Sequence, residues 1–478
     1  MNQSPNPGIV TCPNCGSQAP ASAPYCATCG RPFAPPRPAA PMPPAMPPAP
    51  SFSMPPAPPQ QYAQYSGQPA GVFPPTRSGG SGARITVILG VIVLVVALLA
   101  STVYVVALRG TAAATPTPTV ASTSAPSITP TPAPAHSYSG SFAATGSMKT
   151  ARAGSTETLL GDGTVLIAGG EDATGFFDLA DIYNPTSGLF TKTGAMSVAR
   201  FGHTATLLPN GKVLIAGGFT NSTDNSSSPA PRASAELYDP TTNKFSKAGS
   251  MTQGRGFHTA TLLKDGTVLI AGGDDGKAPR ATAEIYDPTL GTFKAVGKMS
   301  VAREVATATL LENGKVLVAG GGTGSQSLDS AELYDPTTAK FTATGAMSGA
   351  REAHTATLLK DGRVLMVGGY NGTSYATTAE VYDAKTGTFS SVGSLHTARA
   401  DHTATLLLDG TVLIAGGCNT MCVSAAELFD PITNDFSATN PMVSRRGLQT
   451  ATLLTDGRVL ITGGYDGSAA YLTAELYS

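Results

Sequence analysis

Four of the six cysteines lie between residues 12 and 29, in Cys12-Pro-Asn-Cys15-Gly and Cys26-Ala-Thr-Cys29-Gly. Two C-x2-C pairs at this separation bring four thiolates within reach of one tetrahedral zinc, and the glycine after each pair lets backbone amides turn toward the sulfurs. So short a segment has almost no apolar core and must be stapled. Two disulfides are the other reading, and metal is the expectation. With cysteine at all four positions no coordination site stays open, so the expected zinc is structural. The last two cysteines, Cys418 and Cys422, stand four apart in one loop, where a local disulfide is expected.

The other reactive side chains recur too regularly for catalysis. An arginine stands at Arg152, Arg200, Arg255, Arg303, Arg351, Arg399 and Arg446, and an acid at Asp181, Glu236, Glu284, Glu332, Glu380, Glu427 and Glu475. A catalytic group is needed once, whereas a group that solves a packing problem is needed in every repeat, so these are expected to be buried ion pairs or backbone braces. His203, His258, His354 and His402 share one repeat position that Ser155, Ala306 and Gln449 fill elsewhere. Four such histidines spaced around a ring lie too far apart for one metal, and bonds to neighbouring repeats are expected. No catalytic or cofactor-binding residue is assigned.

The elements that position these groups follow from the repeat. Double glycines at Gly169, Gly217, Gly272, Gly320, Gly368, Gly416 and Gly463 recur at intervals of 48, 55, 48, 48, 48 and 47. Each unit holds a segment such as His354-Thr-Ala-Thr-Leu-Leu, an Asp-Gly or Asn-Gly pair, and an apolar run such as Val364-Leu-Met-Val. That predicts a hairpin closed by a type I′ turn. A third strand follows, as in Ala331-Glu-Leu-Tyr-Asp-Pro, and a fourth starts at an aromatic seven residues after the tyrosine, as from Tyr334 to Phe341. Four short strands with a continuously apolar second one predict blades that cover each other and stack radially.

The apolar run closed by Gly-Gly, the tyrosine and the later aromatic resemble kelch-repeat β-propellers, over residues 137–478. The fold class expected is all-β, a seven-bladed propeller. Phe190, Phe245, Phe293, Phe341, Phe389 and Phe436 stand where that family usually has tryptophan, and the chain has none. The resemblance is to the branch that includes the galactose-oxidase central domain. Copper chemistry of that kind implies two tyrosines, two histidines and a Tyr–Cys crosslink near the axis. Ser141-Phe142-Ala-Ala-Thr-Gly-Ser-Met148 matches Lys340-Phe341-Thr-Ala-Thr-Gly-Ala-Met347. The N-terminal end of the propeller is therefore expected to supply the fourth strand that the last blade lacks. Residues 1–33 resemble the short zinc ribbons of bacterial protein N-termini.

Between these regions residues 34–84 are Pro-rich, an expected disordered linker. Residues 85–108 run without a charge between Arg84 and Arg109, long enough as a helix to cross a ~30 Å hydrocarbon layer. Residues 109–136, rich in Thr-Pro, form an expected stalk. Arg77 and Arg84 before the span, thiolate zinc ligands and the closely spaced later cysteines agree on a single-pass cell-membrane protein with its N-terminus in the cytoplasm and its propeller outside. Residues 110–478 carry all 31 acids and come to about −6, which disfavours nucleic acid as partner. The loops between second and third strands vary most, for example Phe219–Ala233 and Tyr370–Thr377, and that face is expected to point away from the membrane. The expected function is binding of a protein or carbohydrate ligand there, not enzymatic. The alternative is a carbohydrate-active enzyme of the galactose-oxidase-like or sialic-acid-epimerase-like kind.

Overall fold

The computed structural model describes Ile9–Thr11, Gln18–Pro20 and residues 140–221 and 229–478. Ile9–Thr11 and Gln18–Pro20 pair as antiparallel strands. Cys12, Cys15, Cys26, Cys29, the linker, the apolar span and the stalk lie outside the described residues. No helix among the described residues is long and apolar enough to cross a membrane.

From Phe142 onward the chain builds seven antiparallel four-stranded sheets. Blade 1 comprises Thr156–Leu159, Val165–Ala168, Ala180–Asn184 and Leu189–Lys192. The first strand of every blade lies beside the first strand of the next, and the last, Thr450–Leu453, lies beside Thr156–Leu159. The ring therefore closes around an axis lined by Thr-x-Thr-Leu segments. Blades 2 to 7 follow the same order, and blade 7 is completed by Phe142–Ser147 pairing with Thr473–Tyr477. The strand expected from the N-terminal side thus fills the seam.

Second strands such as Val213–Ala216 are buried throughout because both faces meet another sheet. Leu160, Leu166 and Ala168 of blade 1, for example, pack with Val213, Ile215 and Tyr238 of blade 2. Each fully buried aliphatic side chain contributes about 1.5–3 kcal/mol. The absent tryptophan is compensated by a tyrosine or phenylalanine packed on a phenylalanine in every blade. Ring centroids lie 4.8 Å apart for Tyr183 and Phe190, and 4.9 Å for Phe142 and Tyr477 across the seam.

The hairpin turn differs from the type I′ expectation. Gly163 has φ 83° but Asp162 is not left-handed. Gly163 donates to Leu160 O and Leu160 to Thr164 O, both near 3 Å. That is a three-residue loop, a type I turn followed by a left-handed glycine. Asp162 Oδ1 accepts the Thr164 amide at 2.9 Å, which fixes the aspartate in a right-handed conformation.

Candidate functional site

The loops between second and third strands and those entering the first strands meet at one end of the ring. There, in every blade, the residue after the repeated arginine pairs with the residue after Gly-Gly: Ala153 with Glu171, Phe201 with Phe219, Gly256 with Asp274, Glu304 with Gly322, Glu352 with Tyr370, Ala400 with Cys418, Gly447 with Tyr465. The next residue is left-handed in all seven blades, at Gly154, Gly202, Phe257, Val305, Ala353, Asp401 and Leu448. Phe257 N donates to Gly202 O at 2.8 Å, Asp401 N to Ala353 O at 3.0 Å, and Gly154 N to Leu448 O at 2.9 Å. These residues form a backbone annulus around the axis. A β-branched valine at φ 52° costs on the order of 1–2 kcal/mol, so the annulus dictates backbone geometry over residue preference.

Side chains around the annulus are not repeated. On one arc Phe176 stacks on Phe201, which meets Phe257, which meets Phe219, each with centroids 5.5 Å apart. On the other arc stand Glu352, Asp401, Tyr370 and Tyr375. A Cβ on Gly322 would collide with Glu352 Oε2, so the glycine makes room for this carboxylate. Burial raises the Glu352 carboxyl above its ordinary range. Burial and then the Glu352 charge raise Asp401 to about 6. Tyr375 is pushed up to about 12 by burial, with Asp401 and Tyr370 adding to the shift. Its ring lies 5.1 Å from that of Tyr370, whose hydroxyl donates to Gly372 O at 2.8 Å. Two carboxyls raised in this way beside an aromatic pair can each hold a proton closer to neutrality than an exposed acid and exchange it with a bound hydroxyl group.

The repeated groups behave as scaffold. Arg200 donates to Gly217 O at 2.7 Å, Ser234 O at 3.0 Å and Glu236 Oε1 at 3.0 Å, and Glu236 Oε2 accepts the Ser197 amide at 2.7 Å. Each blade holds its Arg–acid pair, all buried. His203, His258, His354 and His402 are buried, and each hydrogen-bonds the first strand of the preceding blade, as His203 Nε2 with Thr156 Oγ1 at 3.0 Å. Burial holds all four imidazoles down to about 3. Cys418 and Cys422 form the disulfide expected of them. A crevice on the opposite face, near Asp361, Arg363, Asp383 and Lys385, is built from turn residues, and Arg363 is tied to Asp361 at 2.7 Å.

Sequence reasoning did not single out Glu352 or Asp401. The available signal was negative: at their repeat positions the other blades carry alanine, glycine, phenylalanine, valine or leucine, with Glu304 the one further acid.

A family profile for the Kelch motif matches residues 200–252, 313–348 and 353–396. The chain carries Kelch repeats. Among solved structures, the kelch propeller is similar to a novel fungal alcohol oxidase with catalytic diversity among the AA5 family, in complex with copper. Identity is 18% over 71% of this chain and 75% of that one, with a TM-score of 0.56. A structure of YjhT matches at 15% identity over 61% of this chain and 98% of its own, with a TM-score of 0.49. No curated protein matches. The expectation that the chain is not an enzyme is corrected by the first likeness, because the same galactose-oxidase-like fold carries an alcohol oxidase. The copper set implied by that resemblance is not assembled here. The Cys418 and Cys422 sulfurs are bonded to each other and so supply no thiol for a Tyr–Cys crosslink. The four repeated histidines are turned into blade junctions, and no three His, Cys, Asp or Glu side chains are grouped for a metal among the described residues.

Proposed function

We propose that the kelch propeller is a carbohydrate-active enzyme that works by proton transfer at the loop-face annulus. Glu352 and Asp401 serve as the acid–base pair. Tyr370 and Tyr375 offer a stacking surface for the apolar face of a sugar, and the phenylalanine arc forms the opposing wall. The observation that carries this reading is the pair of carboxyls raised by burial, the Glu352 charge adding to the shift at Asp401, set at the annulus where most blades have small or apolar residues. Tests use the purified full-length chain with reducing sugars and oligosaccharides, following anomeric proton signals and new reducing ends by NMR. E352Q and D401N are each expected to lower turnover by about 10²–10⁴-fold, the usual contribution of a positioned acid or base. Turnover unchanged in both variants, or no turnover of any sugar by the native chain, overturns the assignment.

The proposal extends to the parts outside the described residues. Cys12, Cys15, Cys26 and Cys29 bind one structural zinc in the cytoplasm. Residues 85–108 anchor the chain in the membrane, and the stalk presents the propeller outside with its loop face outward toward a glycan or glycoprotein. Metal analysis of the full-length chain is expected to give one zinc, lost on replacing the four cysteines by serine. Protease accessibility in intact cells is expected for the propeller and not for the N-terminal segment.

A further inference from the structure

The innermost strands carry alanine at their second position in six blades: Ala205, Ala260, Ala308, Ala356, Ala404 and Ala451. Blade 1 has Glu157. Second strands end in Ala168, Ala216, Ala271, Ala319, Val367 and Ala415, whereas blade 7 ends in Thr462. The two exceptions meet across the seam between the first and last blades. Thr450 Oγ1 donates to Glu157 Oε2 at 2.5 Å and Thr462 Oγ1 to the same oxygen at 3.1 Å, while the two hydroxyl oxygens lie 2.8 Å apart. Glu157 Oε1 is sealed from solvent and has no hydrogen-bond partner.

We propose that Glu157, held by Thr450 and Thr462, is a proton-operated latch that keeps the seam closed when neutral and loosens it when ionised. A neutral carboxyl accepts both hydroxyls through one oxygen and strands no charge. A carboxylate would leave its second oxygen bare in a dry junction, a costly arrangement without a counter-charge. None is at hand: Thr156–Leu159 packs against Val165–Ala168, Thr204–Leu207 and Thr450–Leu453, and these with Val459–Thr462 bring no charged side chain other than Glu157, while the nearby His203 bonds Thr156 Oγ1 and is kept neutral by burial. Burial accordingly raises the Glu157 carboxyl from 4.5 to about 7, only partly opposed by the threonine hydroxyls. A carboxyl raised on folding stabilises below its unfolded pKa, and that stabilisation is lost as pH climbs through the folded value. Phe142–Ser147, which completes blade 7 on Thr473–Tyr477, runs directly on into blade 1, so a loosened junction between these two blades is felt at that strand while the other blade junctions stay closed.

Hydrogen–deuterium exchange of the full-length chain tests the latch at about pH 5.5 and about pH 8.5, on either side of the raised carboxyl. After correction for intrinsic exchange, peptides covering Phe142–Ser147 and Thr450–Leu453 are expected to lose protection by at least ~10-fold at the higher pH, the equivalent of one pKa unit. Peptides covering Thr307–Leu310 on a distant blade keep theirs. E157Q, neutral at both values, removes the difference. Should E157Q fail to fold, E157A with T462A recreates the apolar pairing found between other blades and is expected to exchange alike at both values. A wild-type seam that exchanges alike at both values overturns the latch. So does a pH difference that persists in E157Q or, in its place, in the double variant.

Discussion

Replacing Arg303 by methionine tests whether the seven buried arginines carry the ring or merely decorate it. Arg303 is 1% exposed and Glu332 3%. Its guanidinium donates to Gly320 O at 2.8 Å, Ser330 O at 3.0 Å and Glu332 Oε1 at 3.1 Å, and Glu332 Oε2 accepts the Ser300 amide at 2.8 Å. Burial depresses the Arg303 pKa, with the Glu332 charge opposing it. R303M strands the Glu332 charge, at a cost of about 3–5 kcal/mol. With an unfolding entropy of about 2.1 cal/mol/K per residue, a propeller of about 340 residues shifts by about 1.4 °C per kcal/mol, so the melting temperature should fall by roughly 4–7 °C. R303M with E332L removes both charges. Its cost is limited to the Gly320 carbonyl and the Ser300 and Val301 amides left without these partners, about 1 kcal/mol each, since Ser330 O still accepts from the Gly320 amide. The double variant should therefore be no less stable than R303M alone, and far more stable than the sum of the single losses. Denaturant midpoints of the four chains, wild type included, give the cycle. Additive losses, or an R303M cost below about 1 kcal/mol, would refute the view that each blade entry is held by a coupled ion pair.

Asp181 is one methylene shorter than its six glutamate counterparts and leaves Oδ1 buried without a partner; D181E should reach the Lys149 amide and raise stability by about 1 kcal/mol, read from the urea midpoint. Tyr286 OH is likewise buried and unpartnered, because Ala248 stands where Thr193 donates to Tyr238 OH at 3.2 Å; A248T should add about 1 kcal/mol, and no gain in its thermal midpoint would count against the bridge. The Asp401 carboxyl is raised from 3.8 to about 6, so its contribution to stability is present below about pH 4 and lost as pH rises through about 6. D401N should flatten stability across that window, and E352Q should move the Asp401 titration down, as followed by carboxyl NMR. Deleting residues 138–148 removes the fourth strand of blade 7 and leaves Thr473–Tyr477 as an open edge; aggregation or early melting by light scattering is expected.

What the sequence made legible was whatever the repeat multiplied. The 48-residue period, the apolar second strands and the likeness of the Phe142 segment to the Phe341 segment come from packing demands that every blade must meet, so seven copies reinforce one another. The turn was misread for the opposite reason: Asp-Gly suits both a two-residue type I′ turn and the tail of a three-residue loop, and only the Leu160–Thr164 pairing decides between them. Glu352, Asp401 and Glu157 were not singled out because each occurs once or twice in a background of seven, and periodicity analysis discards such departures. On a radially repeated scaffold that is where chemistry has to reside. Identical blades give an axis identical groups, which can brace a ring but cannot set an acid against a base. A site on the axis therefore has to be written as exceptions to the repeat, and the absence of a recognisable catalytic motif is poor ground for excluding an enzyme on such a fold. The exceptions here fall into two places, the annulus around Glu352 and Asp401 and the seam around Glu157 and Thr462, and in both the raised carboxyl follows from setting an acid into a position that the repeat had prepared for an apolar side chain.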